Sequence, residues 1–358
     1  MVRALVLGEV GAPMSVADVE LRALGPHDVR VRLAAAGVCH SDLSLARGVL
    51  RQKTPAVLGH EGAGTVVAVG SAVTDTAVGD RVMLIWAPPC RDCWYCLAGE
   101  PWLCERAMEA GSRPYATVDG APVYPGLGTA AFAAETVVGD NAVVALPDDV
   151  PLDTAALLGC AVLTGVGAVV NTAGVRAGDS LLVLGLGGVG LSAVQGARIA
   201  GAAPIIAVDP DATKRELACR LGADAAFQPD DALTAAVRGL TGGRGVDVAV
   251  ECVGRATTIR SAWSLTRRGG HLVIVGIGGK DEAVSWSALE LFHFGRTISG
   301  CVYGSTDPAR DVPLMVDHIR SGALDLAALV GRRIGLEQVE SALADMVAGR
   351  GARALVVR

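Results

Sequence analysis

The sequence predicts an α/β protein with two parts: a β-rich, barrel-like domain, and a doubly wound parallel sheet. Three observations predict it. Residues 1 to about 150 hold short, close-set β segments broken by Gly, Pro and Asp. From about residue 152, strand-like and helix-like stretches alternate, as in parallel sheets flanked by helices. The run PPCRDCWYCLAGEPWLC interrupts the first region with four closely spaced cysteines. At 358 residues the chain is long enough for two cores, and 51% hydrophobic against 19% charged content marks it as globular.

The plainest strands of the first region are VRVRLAAAG, GTVVAVG, DRVMLIW and ETVVG. DTAALLGCAVLTGVGAVVNTA then reads as a helix-like apolar stretch. The alternation that follows is SLLVLG, a helix from Val189 to about Ala200, PIIAVD, a helix from Thr213 to Leu221, VDVAVEC and HLVIVG. After about residue 300, Asp311–Ser321 and Leu336–Ala348 read as amphipathic helices, and ALVVR as a closing strand that returns to the first domain. Repeats, low-complexity tracts and long linkers are absent.

Charge and composition exclude several function classes. A net charge of -6 argues against a nucleic-acid surface, which needs a basic excess. Aromatic residues at 4% offer no stacking platform for single strands. MVRALVLGEV lacks the features of a secretory leader, and the apolar runs are short and Gly-broken. Nine cysteines without an export signal fit a reducing cytoplasm.

Cys90, Cys93, Cys96 and Cys104 have the spacing of a closed structural zinc site, with disulfides as the alternative. LLVLGLGGVG sets Gly185, Gly187 and Gly190 as G-x-G-x-x-G after a strand and at the start of a helix, the context of a dinucleotide fingerprint. Free N–H groups at such a helix start favour pyrophosphate. Asp209, at the end of PIIAVD, is placed to accept from ribose hydroxyls and to repel a 2′-phosphate, which favours NAD over NADP. A turn-closing role for the glycines, helix capping by Asp209, and FAD binding are the alternatives. GVCHSD groups Cys39, His40, Ser41 and Asp42; GHEGAG adds His60 and Glu61; LLGCAVLTG adds Cys160. Cys/His/Cys with one open position is a catalytic zinc set, and Asp42 is suited to orient the His60 ring. Each residue has an ordinary alternative: Cys160 a small buried hydrophobe, His40 a surface residue, Glu61 a satisfied carboxylate.

With these motifs in one order, the chain resembles the zinc-containing alcohol dehydrogenases of the medium-chain dehydrogenase/reductase superfamily along essentially its whole length; GRGARALVV completes the set. The resemblance implies a GroES-like catalytic domain over 1–161 and 303–358, and a Rossmann domain over 162–302. It implies catalytic zinc on Cys39, His60 and Cys160 with Glu61 behind it, structural zinc in the lobe, and Ser41 beside the substrate oxygen. It assigns cofactor contacts to Gly185, Gly187, Gly188, Val189, Gly190, Asp209, Lys214, Thr164, Val253 and Ile277. His40 and Arg353 take positions near the pyrophosphate. Leu50, Trp86, Gly126, Leu127 and Ile277 should line an apolar substrate pocket. The implied activity is reversible NAD-dependent oxidation of an alcohol, hydrophobic and primary by the pocket, with a thiol-dependent formaldehyde dehydrogenase as the alternative. YATVDGAPVYPGLGTAAFAAETVV is similar to a loop of the dimeric branch, and ALELFHFGRTISGCVYG to the subunit-pairing region, so a homodimer is expected. Ser44 stands where the family often has a relay histidine, so the proton is expected to pass from Ser41 to a nicotinamide ribose hydroxyl and on through Ser44 or water to solvent.

Overall fold

The computed structural model describes residues 1–350 and 353–358. Gly351 and Ala352 of the GRGARALVV motif lie outside the described residues. The chain forms two compact units: 1–160 with 307–319 and 326–358, and 161–306 with 320–325. The expected domain limits were 161/162 and 302/303.

The first unit is built on two β systems. One is a closed barrel in the order Val2–Leu7, Ser15–Leu21, Ala116–Val118, Ala121–Pro125, Ala56–Val57. The other is a seven-stranded sheet. Its path runs Val143–Ala145, Arg81–Leu84, Glu61–Val69, Asp28–Gly37, Arg353–Val357, Val330–Ile334, with Glu135–Gly139 also pairing to Asp28–Gly37. Val19, Val31, Leu58, Phe132 and Val356 are among the buried apolar side chains of its core. Closure of one sheet and short outer strands in the other limit exposed edges.

The second unit is a six-stranded, all-parallel sheet ordered Ala225–Phe227, Ile205–Val208, Leu181–Leu184, Val246–Glu251, Thr266–Ile274, Thr297–Gly300. In chain order this is the 3-2-1-4-5-6 arrangement that binds dinucleotides where the order reverses. The central strands Leu181–Leu184 and Ile205–Val208 are buried at every position, so they read as apolar runs without alternation. Helix Gly188–Ala200 covers the first strand and stops at Gly201 in the left-handed conformation. Helix Ala212–Leu221 starts at Asp211, whose side chain accepts from the Thr213 amide at 2.8 Å.

The apolar stretch 153–173 is not one helix. It is broken into Leu152–Ala155, a 3-10 turn Ala156–Gly159, helix Ala161–Gly167 and a π segment Ala168–Thr172. The break is at Cys160, whose φ of -144° and ψ of -71° are not helical. Elements beyond those read from the sequence include strand Val2–Leu7 of the barrel, edge strand Ala225–Phe227 of the parallel sheet, and helices Leu233–Leu240 and Ala256–Leu265. No single helix among the described residues is long and apolar enough to cross a membrane.

Candidate active site

Three neighbouring strands of the first unit deliver the buried cluster. Gly37, at the end of Asp28–Gly37, stands opposite Glu61 on one side and Leu355 on the other. Cys39 lies two residues beyond Gly37, His60 immediately precedes the next strand and Glu61 opens it, and Arg353 opens the strand on the far side. The non-helical turn at Cys160 brings in the fourth ligand, a second thiol. Ligand atoms of Cys39, His60, Glu61 and Cys160 lie within 4.8 Å of one another, and all four residues are buried. A side chain at position 37 would collide with the Glu61 carboxylate, so glycine is required there for steric reasons.

Asp42 organises this cluster. It is fully buried on helix His40–Ala46. It accepts from the Cys39 amide at 3.0 Å, from the Gly59 amide at 3.0 Å, and from His60 Nδ1 at 2.9 Å. With Nδ1 donating, the Nε2 lone pair of His60 is turned away from Asp42, and this buried atom has no hydrogen-bond partner. Burial opposes a charged His60 ring, yet without an ion Asp42 and Cys39 outweigh it and hold its pKa well above the ordinary value, so an ion at Nε2 would take the place of a proton. The Cys39 thiol is pushed well down, first by its hydrogen bond with Cys160 and then by Arg353 and His60. Burial raises Glu61 to about 7, although the Arg353 guanidinium beside it pulls the other way. Two thiols, one imidazole nitrogen without a partner and one carboxylate, all desolvated, fit a divalent ion of zinc type.

The lobe differs. Cys90 and Cys96 sulfurs are 4.0 Å apart, and those of Cys93 and Cys104 3.9 Å. A disulfide would need about 2.05 Å. Four sulfurs about 2.3 Å from one zinc would be separated by about 3.8 Å, so the lobe fits a tetrahedral ion. Amides of Cys90 and Cys93 donate to the Cys104 and Cys90 sulfurs, both at 3.3 Å, as thiolates require. All nine cysteines are free of disulfides.

In the second unit the glycine loop has the form a pyrophosphate cradle needs. Gly185 has φ of 94°, and a side chain at Gly190 would run into the Gly185 carbonyl. A Cβ at Gly187 would meet nothing within 4 Å, so the approach to the start of helix Gly188–Ala200 is open. Asp209 is buried and accepts from the Leu186 amide at 2.8 Å and the Asp211 amide at 2.9 Å. Each carboxylate oxygen retains a lone pair for a ribose hydroxyl. Lys214 is half-buried on the next helix, Thr164 is buried, and Val253 and Ile277 are exposed.

Other expected site residues are placed as follows. Ser41 Oγ is 4.0 Å from the Cys39 sulfur. His40 is exposed, and Ser44 is half-buried on the same helix. Arg353, assigned by resemblance to the pyrophosphate, is ion-paired with Glu61 in the buried cluster. Leu50 and Leu127 are half-buried against the core of the first unit, Trp86 is half-buried and Gly126 is buried there, while Ile277 belongs to the second unit. Sequence reading missed Gly37 and Glu251. An acidic residue closing the strand VDVAVE, directly after the apolar VAV, was the signal for the second.

A closed four-sulfur lobe, a buried mixed-ligand cluster on a β domain, and a glycine cradle on a 3-2-1-4-5-6 sheet are the features of a two-domain dehydrogenase with sites fit to hold metal. Residues 25–148 match the alcohol dehydrogenase GroES-like domain family, and 188–321 the zinc-binding dehydrogenase family. The chain is 37% identical over 365–368 residues to several relatives; one is the NDMA-dependent alcohol dehydrogenase of Amycolatopsis methanolica, covering 99% of this chain and 98% of that one. It is 35% identical to the S-(hydroxymethyl)glutathione dehydrogenase of Photobacterium damsela subsp. piscicida, with 99% of each covered. Benzyl alcohol dehydrogenase from Acinetobacter calcoaceticus superposes with a TM-score of 0.91 at 29% identity, with 99% of each covered. A structure from Sinorhizobium meliloti 1021, described as a zinc-binding dehydrogenase and bound to NADP, has a TM-score of 0.84 at 30% identity, covering 100% of this chain and 99% of that one. The chain belongs to the zinc-containing alcohol dehydrogenases of the medium-chain dehydrogenase/reductase superfamily.

Proposed function

We propose that this enzyme uses NAD and zinc to oxidise a hydrophobic primary alcohol, reversibly, to its aldehyde. The observation that carries the reading is the partnerless His60 Nε2 set among Cys39, Cys160 and Glu61. Zinc held there would polarise an alcohol oxygen and lower its pKa, and the nicotinamide would accept the hydride. The chain's own residues do the rest. Asp42 fixes the His60 ring and the Cys39 amide in place. Ser41, beside the Cys39 sulfur, takes the alcohol proton and hands it on through Ser44 or water, because a hydroxyl cannot hold it at neutral pH. Asp209 favours NAD by its charge at the ribose position. Apolar Leu50, Trp86, Leu127 and Ile277 support a hydrophobic substrate, as does the likeness to a benzyl alcohol dehydrogenase. Two zinc ions per chain follow from two independent ligand sets.

The likeness to an S-(hydroxymethyl)glutathione dehydrogenase supports a second reading, oxidation of the adduct of formaldehyde with a small thiol. One experiment separates them: NADH formation with benzyl and medium-chain primary alcohols, compared with formaldehyde plus glutathione or mycothiol. Turnover of free alcohols without a thiol supports the first reading; activity confined to the thiol mixtures overturns it. We also infer a cytoplasmic homodimer. Its support is the edge strand Thr297–Gly300, the exposed Leu289 and Phe292 on the preceding helix Ala288–Phe294, and nine cysteines of which none is in a disulfide. A tetramer by light scattering would contradict the dimer.

A further inference from the structure

We propose that Glu251, a buried carboxylate at the end of the fourth strand of the parallel sheet, is a positioning residue that sets the shape of the cofactor crevice. The inference rests on the reading that a nicotinamide dinucleotide binds along Gly185–Gly190. Strands Leu181–Leu184 and Val246–Glu251 are the neighbours at which the sheet order reverses, and a dinucleotide binds outside their carboxyl ends. Glu251 ends the second of these strands and is fully buried.

Its side chain holds one turn. Oε1 accepts from the Val253 amide at 2.9 Å, the Gly254 amide at 3.0 Å and the Thr258 hydroxyl at 2.7 Å. Oε2 accepts again from the Gly254 amide at 3.1 Å. Its main-chain carbonyl holds a second turn, accepting from the Val275 and Gly276 amides at 2.8 and 3.0 Å. The two turns pack backbone to backbone: a Cβ on Gly254 would lie 2.6 Å from the Ile277 carbonyl carbon, and one on Gly276 would strike Val253 and Gly254. Gly254 has φ of 82°, which no bulkier residue adopts readily. The first turn also seats the phosphate loop. A Cβ on Gly185 would meet Val253 Cγ2 at 2.6 Å, and the Cys252 amide donates to the Leu184 carbonyl at 2.8 Å. One residue therefore ties the exposed Val253 and Ile277 to the glycine loop. A carboxylate with three donors in a dry site is a stiff anchor, and its loss leaves buried amides without an acceptor.

The same strand supplies a control. Asp247, near its other end, accepts from the Ser180 amide at 2.8 Å, the Ser180 hydroxyl at 2.6 Å and Arg267 at 2.5 Å. It braces the sheet away from the crevice end.

NAD binding to the purified full chain is measured by calorimetry, alongside steady-state kinetics, for wild type, Glu251→Ala, Glu251→Gln and Asp247→Asn. Glu251→Ala should raise Kd and KM for NAD about tenfold, with kcat at saturating NAD within about twofold of wild type, because an unanchored turn must be ordered on binding. Glu251→Gln keeps an acceptor at one oxygen position and should rescue most of this, with a rise of about threefold. Asp247→Asn should lower thermal stability and leave Kd for NAD unchanged. If Glu251→Ala does not fold, the Glu251→Gln shift carries the test. Wild-type affinity in the Glu251 variants, or an equal rise in Asp247→Asn, overturns the inference while the dinucleotide reading stands. A wild-type chain that binds neither NAD nor NADP overturns both.

Discussion

The two ligand clusters of the first unit use the same thiol chemistry in opposite ways. The lobe draws all its sulfurs from Cys90–Cys104, buries Cys93 and Cys104 while Cys90 and Cys96 stay half-buried, and supports the set with local amides. The buried cluster draws its ligands from separated stretches, mixes sulfur, nitrogen and carboxylate, and surrounds them with Asp42 and Arg353. A homogeneous, self-contained set closes a fold. A mixed set that also fixes its neighbours' orientation is suited to chemistry. The difference teaches that the number of thiols does not distinguish a staple from a reactive centre; what surrounds them does.

The comparison breaks most visibly if the clusters are altered one at a time. Cys39→Ser should reduce turnover about a thousandfold or more, since Lewis-acid stabilisation worth several kcal/mol is lost. Its thermal midpoint should stay close to wild type, read by calorimetric scanning. Cys93→Ser should do the reverse: the midpoint should fall by about 10 °C, because a structural zinc contributes folding free energy. Activity per folded molecule should be largely kept, and equal activity losses in the two variants would contradict the distinction. A smaller effect sharpens it. Asp42→Asn leaves every ligand in place but weakens the His60 support, and should lower the affinity of the buried site for zinc about 10- to 100-fold. Competition with a chromophoric chelator reads this directly, with the lobe zinc unaffected.

How much of this was legible in the sequence follows the same division. The lobe was, because its ligands are adjacent and spacing alone brings them together. So were the glycine cradle and the apolar central strands, whose signals are local. The residue types of the buried cluster suggest a Cys/His/Cys zinc set, but only resemblance favours it over the ordinary alternatives, since strand register brings Gly37 opposite Glu61 and no local pattern encodes register. Arg353 was read toward a phosphate, but its strand neighbours turn it to Glu61. The stretch 153–173 reads as a helix because it is mostly apolar; the break at Cys160 adjoins Gly159, whose close approach to the Leu84 carbonyl, where a Cβ would clash, no local pattern displays. Glu251 shows only as one acid ending an apolar strand, and its partners are amides, which no sequence displays.

The smallest predicted effect lies outside both clusters and gives the scale of a half-buried carboxylate. Burial alone would raise the Asp247 pKa, but hydrogen bonds from Ser180 and Arg267 hold it below the usual value. A depressed carboxylate pKa stabilises the folded state above the unfolded pKa, near 4, and this is lost as pH falls through the lower folded-state pKa. Asp247→Asn should therefore cost about 1 kcal/mol at pH 7, with the difference from wild type shrinking below about pH 4 in urea unfolding. A difference that grows on acidification would contradict the assignment.

The central claim is that one chain holds two zinc ions with separate duties, and metal stoichiometry tests it most directly. Elemental analysis of the purified protein, read beside activity and thermal midpoint, should give two zinc ions per chain in wild type and one in each of Cys39→Ser and Cys93→Ser. Cys39→Ser should be inactive and folded, whereas Cys93→Ser should be active and labile. One zinc or none in wild type, or the loss of both ions from a folded Cys39→Ser variant, would contradict it.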